Sequence, residues 1–243
     1  MGGVTRRRGV AFFVPVAVAA ATPVVRVETV GRSAAGRPIV AAELGARGRP
    51  VTLVVGCIHG DECAGTRIVR RLLTAGCAPT RGDLWLVPNL NPDGAARGTR
   101  QNGRGVDLNR NFPSEWKPRG RRWDPEYSGP RPSSEPETRA AERLVRRLRP
   151  RVTVWYHQPT TLVRAWGPSV RAGAAFARAV GLPFRRLRWP AGTAPNWQNH
   201  RFPGTASFVV ELPPGPLGAR AVARHAAALL RLAGSGPPRC RRP

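Results

Sequence analysis

Two hydrophobic rhythms alternate along the chain. Residues 51–57 (Val-Thr-Leu-Val-Val-Gly-Cys) form a nearly continuous apolar, β-branched run, the pattern of a strand buried on both faces. Residues 64–73 follow with Ile68, Val69, Leu72 and Leu73 spaced for one face of a helix. The exchange repeats downstream, with strands over 84–87, 151–156 and 207–212 and helices over 135–148, 170–180 and 219–232. Ahead of it, 24–30 and 39–44 read as two strands joined by the turn-like Ser33-Ala34-Ala35-Gly36, and Ser133-Ser134 offer caps for the helix at 135. Strands alternating with helices predict an α/β fold, a single-domain three-layer α/β/α sandwich around a mostly parallel mixed sheet. Residues 88–127 break the rhythm. They are rich in Gly, Pro, Asn and Arg, and a loop of that length inside a compact domain is usually functional.

Length and composition suit one domain, since 243 residues with 41% hydrophobic content can bury a core. The formal charge of +26 raises the question of an anionic partner. Lys117 is the single lysine, and the other basic residues are arginines spread over the whole chain rather than in one stripe. With no basic helix carrying interleaved aromatics and no nucleic-acid motif, no specific nucleic-acid partner is expected. The N-terminus modifies the domain count. Arg6, Arg7 and Arg8 precede a short apolar run at 10–21 that ends in Ala19-Ala20-Ala21, the layout of a secretory signal too short to span a bilayer. The expected division is therefore a signal peptide at 1–21, one folded domain at 22–235 and a flexible basic tail at 236–243. The mature protein is expected to be secreted or cell-wall associated, monomeric and not stably inserted in a membrane. Cys57, Cys63, Cys77 and Cys240 contain no Cys-x-x-Cys pair, which speaks against a cysteine zinc site. A helix between Cys63 and Cys77 would hold them about 20 Å apart, beyond disulfide reach. A Cys77–Cys240 bridge and buried free thiols both remain open.

Chemistry concentrates where strands end. His59-Gly60-Asp61-Glu62 follows the buried strand at 51–57 and precedes a helix, the place where open α/β sheets bind ligands. Imidazole and carboxylate both ligate zinc, and catalytic zinc usually takes three protein ligands. Of the four histidines, His157 also closes a strand, so it is either the third ligand or a structurally satisfied histidine. Glu211 ends the apolar run Phe208-Val209-Val210, as a proton-shuttling base or as a carboxylate neutralised by arginine. In the long loop, Arg110 beside Asn109 could grip a terminal carboxylate through its planar fork, and Arg100 could steady a developing oxyanion.

Six segments, taken in order, resemble the zinc metallocarboxypeptidase family, the group that includes pancreatic carboxypeptidase A, and most closely its short bacterial murein peptide amidase branch. They are Gly31-Arg32-Ser33 with Gly36-Arg37-Pro38-Ile39; Gly56 to Glu62; Asn89-Leu90-Asn91-Pro92-Asp93-Gly94; Gly105 to Pro113; Ser128-Gly129-Pro130 with Ser134-Glu135-Pro136-Glu137-Thr138; and Phe208 to Pro213. The resemblance implies one Zn2+ held by His59, Glu62 and His157. It implies Glu211 as general base and then acid, Arg100 at the oxyanion, and Asn109 and Arg110 at the terminal carboxylate. It further implies a peptide substrate, with cleavage of the γ-D-glutamyl bond to diaminopimelate in peptidoglycan-derived peptides. Two rivals share part of the pattern: a zinc N-acyl-amino-acid deacylase of the aspartoacylase type and a wall-binding pseudoenzyme. The chain departs from the pancreatic pattern in lacking a tyrosine ahead of Glu211, where Trp197, Gln198, Asn199 and His200 stand instead.

Overall fold

Four strands are buried along nearly their whole length, and they form the centre of the sheet. The computed structural model describes residues 24–45, 50–234 and 239–240. The expected signal peptide, and the tail apart from Arg239–Cys240, lie outside them. In chain order the elements are β1 (Val24–Arg32), β2 (Pro38–Gly45), β3 (Val51–Val55), α1 (Gly65–Thr74), β4 (Cys77–Ala78), β5 (Asp83–Val87) and α2 (Pro92–Arg97). There follow α3 (Pro136–Leu148), β6 (Val152–His157), β7 (Leu162–Ala165), α4 (Val170–Val180), β8 (Phe184–Arg186), α5 (Ala194–Arg201), β9 (Ala206–Glu211), α6 (Ala219–Ala233) and β10 (Arg239–Cys240). Eight strands join in the order β1-β2-β5-β3-β6-β9-β7-β8. The central β5, β3, β6 and β9 run parallel, while β2 and β7 flank them antiparallel.

Both faces of the sheet are covered, as the alternation of side chains along β6 shows. Tyr156 points to one face, where its hydroxyl lies 3.1 Å from His225 Nδ1 on α6. Trp155 points to the other, packing edge-on against Phe112, whose ring meets Trp197 of α5. This is the expected three-layer sandwich. α6 earns its place by period: Val222, Ala226, Leu229, Leu230 and Ala233 are buried on one stripe. His225 sits in that stripe too, and burial together with nearby Arg224 lowers its pKa from 6.5 to about 4. Between these values the unfolded chain takes up a proton that the folded chain refuses. Stability is therefore whole above pH 6.5 and drains by about 3 kcal/mol on the way to pH 4. Urea midpoints measured across this range should fall more steeply for the native protein than for His225→Gln. Equal slopes would contradict this account.

The region 88–127 is not wholly irregular. α2 begins at Pro92, with Asn91 capping it by accepting from Gly94 N at 2.9 Å. Asp93 fastens α2 to the opening hairpin, accepting from Ser33 Oγ, Ala35 N and Arg37 Nη1 at 2.8, 2.8 and 2.6 Å. Asn102 donates to both Glu135 (2.8 Å) and Glu137 (3.0 Å) at the start of α3, and Asn111 donates to Ser128 O and Ser134 Oγ. Four of the six segments quoted above, those holding Ser33, Asp93, Asn111 and Glu135, thus help fasten the long loop against the sandwich. The expected capping of α3 by Ser133 or Ser134 does not occur. Glu135 is the N-cap residue and makes no side-chain cap, because both serine hydroxyls are engaged with carboxylates, Ser133 with Glu142 and Ser134 with Glu135.

Of the two alternatives left open for the cysteines, buried free thiols are not what the structure shows among the described residues. Cys57 and Cys63 are joined, their Cα atoms 4.7 Å apart, because the chain turns back on itself after β3. Cys77 is also disulfide-bonded, and the register of β4 with β10 sets Cys240 opposite it. No free cysteine is found among the described residues. Nor, among them, is any helix long and apolar enough to cross a membrane.

Candidate metal centre

The parallel register fixes the site. His157 and Glu211 are the last residues of neighbouring strands β6 and β9, and they lie directly opposite one another. β3 runs on the other side of β6, so the turn after it delivers His59 and Glu62 to the same edge. Gly60 makes this turn possible: a Cβ there would overlap the backbone of Gly94 and Ala95 in α2.

Three donor atoms converge. Glu62 Oε2 lies 2.9 Å from His59 Nδ1 and 2.9 Å from His157 Nδ1, and the two ring nitrogens are 3.2 Å apart. Both histidines are almost fully buried. A tetrahedral zinc with bonds of 2.0–2.1 Å sets its ligands about 3.3 Å from one another. The triangle of donors matches that edge closely, so the residues present fit the metal. Among the described residues this trio stands out as a cluster able to hold an ion.

Asp107 completes the arrangement and was not singled out by sequence. Fully buried, it accepts from His59 Nε2 at 2.9 Å, which leaves Nδ1 facing the other donors. Its carboxylate also accepts from Asn109 N at 2.8 Å and Arg100 Nε at 3.1 Å. Burial alone would raise the Asp107 pKa, but His59 and Arg100 outweigh it and hold the group ionised far below the usual range. Burial likewise opposes the charge on Glu62, and the bonds from His157 and His59 again win. The clue lay in the motif itself, where Asp107 is the sole acid among the nine residues from Gly105 to Pro113.

The remaining candidates share one cavity of about 130 Å3 with the trio. Arg100 donates from Nη1 to Glu62 Oε1 at 2.6 Å, and its Nη2 makes no hydrogen bond among the described residues. Asn109 directs its amide toward His157 Nε2 at 3.4 Å and accepts from Ala194 N at 3.0 Å. Arg110 lines the same cavity, but its fork is engaged: Nε and Nη2 reach Glu126 Oε1 at 3.2 and 2.6 Å. Glu211 keeps Oε2 buried and without a partner among the described residues. Where the pancreatic type has a tyrosine loop, this chain has α5. Trp197 packs inward on Phe112 and Phe202, and Asn199 is bound to Ser207. His200 turns outward to Ser114 Oγ at 2.9 Å, away from the metal trio.

Comparison with known proteins agrees with this geometry. Residues 16–170 match the peptidase family described as zinc carboxypeptidase, a span that includes all three metal-site residues and ends before Glu211. Murein peptide amidase A of Escherichia coli K12 is 34% identical over 172 residues, covering 64% of this chain and 68% of that protein. The crystal structure of murein-tripeptide amidase from Escherichia coli O157 superposes with a TM-score of 0.66 at 27% identity, over 85% of this chain and 91% of that one. Carboxypeptidase A from Helicoverpa armigera shares the fold, with a TM-score of 0.72 at 19% identity over 87% and 68% of the two chains. With its fold, its His-Glu-His cluster and a match across more than half of its length, this chain belongs to the zinc carboxypeptidase family.

Proposed function

We propose that the protein uses one zinc ion, held by His59, Glu62 and His157, to hydrolyse the amide bond next to a free C-terminal carboxylate. We further propose murein peptides as the substrate and the γ-D-glutamyl-diaminopimelate bond as the point of cleavage. The observation that carries this reading is the convergence of three donor atoms beside an unpaired Glu211 and a row of cationic side chains in one cavity. When bound, zinc supplies a Lewis acid that polarises a carbonyl and acidifies water. Glu211 takes a proton from the attacking water and returns it to the leaving amine. Arg100, with Nη2 uncommitted, holds the negative charge that develops on the scissile carbonyl. Asn109 and Arg110 orient the substrate by its terminal carboxylate, which exchanges with half-exposed Glu126 at the guanidinium fork.

The bacterial relatives named for murein peptides favour a wall peptide over an ordinary one. The charge of +26 supports this, since a cationic enzyme concentrates at an anionic wall polymer. Export by residues 1–21 would bring it there, as a secreted or wall-associated monomer. Digestion of L-alanyl-γ-D-glutamyl-diaminopimelate with mass detection tests the reading. Free diaminopimelate should appear with zinc present and vanish with chelator. Release of acetate from N-acetyl amino acids, with the tripeptide left intact, would replace this reading by a deacylase.

A further inference from the structure

The cavity has one cation without an anion. Arg100 is neutralised by Glu62 and Asp107, and Arg110 by Glu126. Arg164 also lines the cavity, yet no carboxylate among the described residues forms an ion pair with it. Its position follows from register. In the antiparallel pairing of β7 with β9, Arg164 lies opposite Val209 and Leu162 opposite Glu211. Residues opposite one another share a face, so Arg164 stands on the catalytic face of the sheet, two positions in from the edge that carries Glu211.

The head group is held in place. Nη2 donates to Arg188 O at 2.8 Å, and the guanidinium lies over the Trp189 ring, 5.2 Å from its centre. Among the described residues, Nε is buried and makes no hydrogen bond, and neither does the indole N–H of Trp189 beside it. Buried donors normally have acceptors, and leaving one unpaired costs about 1–3 kcal/mol. Glu211 is not the missing acceptor, since its own Oε2 is unpaired as well. Burial lowers the Arg164 pKa, with Glu211 pulling the other way, but a guanidinium keeps its charge at any working pH.

Geometry says which part of a substrate arrives there. On the proposed reading, the scissile carbonyl lies between the metal trio and Glu211, and the terminal carboxylate lies at Asn109 and Arg110. The side chain of the terminal residue branches from the carbon that bears that carboxylate. The lining not yet given a role includes Gln158, Thr160, Trp189 and Val209, and Arg164 is its one charged member. We infer that Arg164 is a specificity-determining residue that binds a second carboxylate, carried by the side chain of the substrate's terminal residue. The enzyme then selects terminal residues with a distal carboxylate, such as glutamate or diaminopimelate, over neutral or basic ones. This inference rests on the carboxypeptidase reading and goes beyond it by naming the substrate class.

The test uses the zinc-loaded full-length enzyme with acylated dipeptides ending in glutamate, glutamine or lysine, alongside the murein tripeptide. Glutamate should exceed glutamine in kcat/KM by about 10–100-fold, the worth of a hydrogen bond to a charged group. Arg164→Gln should bring that ratio to within a few-fold of unity, and Arg164→Lys should restore part of it. The murein tripeptide should lose as much as the glutamate peptide if its distal carboxylate uses the same site. A glutamate-to-glutamine ratio near unity in the native enzyme, or one unchanged in Arg164→Gln, overturns the inference and leaves the hydrolase intact. Calorimetric binding of free glutamate and glutamine separates the two readings. If no peptide is cleaved but glutamate still binds through Arg164, the site stands and the peptidase reading falls. If glutamate binds no better than glutamine, the inference falls too.

Discussion

Replacing Glu211 by glutamine lowers kcat by about a thousandfold while zinc content stays unchanged. Glutamine keeps the size and much of the hydrogen-bonding capacity of the side chain but cannot accept a proton. Glu211 sits at the end of β9 opposite His157, and its Oε2 is buried with nothing to bind. It is not one of the three donors, so metal occupancy should not follow the substitution. Among the described residues lining the cavity, the other carboxylate is Glu62, which is occupied by two imidazoles and Arg100, and His200 is turned away to Ser114. Turnover measured beside metal content decides the matter, and a variant within tenfold of native would remove Glu211 from the reaction.

Much of this site could be read from sequence because the informative residues terminate strands. β3, β6 and β9 are buried on both faces, so they appear as unbroken apolar runs whose ends are easily seen. The scarcity of histidine and of acids then makes His157 and Glu211 conspicuous. What escaped reading did so for physical reasons. α5 has no apolar stripe because nearly every side is covered, and its Ala-Pro-Asn-Trp-Gln-Asn composition imitates a loop. Two of its buried amides have specific partners, Asn199 bonding both the N–H and the C=O of Ser207 and Asn196 donating to Glu115, while both amide atoms of Gln198 are unpaired among the described residues. β7 is only four residues long and carries an arginine, so no alternation announces it. Asp107 lies behind His59 and is not among the residues lining the cavity, and a sequence shows ligand types more readily than the groups that orient them. The Cys57–Cys63 bridge depends on a tight reversal after β3 that no local pattern reports.

The other large effect belongs to Glu62, and it is best measured against Asp107. Substituting Glu62 by glutamine removes the one charged donor of the trio and leaves Arg100 Nη1 without its anion. The two imidazoles, both buried, would then lose the carboxylate oxygen that lies 2.9 Å from each. Asp107→Asn disturbs the same centre from outside. The amide can still meet His59 Nε2, but with weaker acceptance and a less firmly fixed tautomer. Loss of such an outer partner typically costs 10–100-fold in metal affinity. Loss of a direct ligand should exceed that range, so Glu62→Gln is expected to weaken zinc binding by more than about 100-fold and to abolish turnover at micromolar zinc. Competition with a chromogenic chelator ranks the two variants directly, independent of any substrate. Because bound metal stabilises the folded state by RT times the logarithm of one plus the ratio of free zinc to Kd, the zinc-dependent rise in Tm should shrink in the same order. If Asp107→Asn lost more affinity than Glu62→Gln, the aspartate would be the ligand, and the glutamate would serve chiefly as the counter-ion of Arg100.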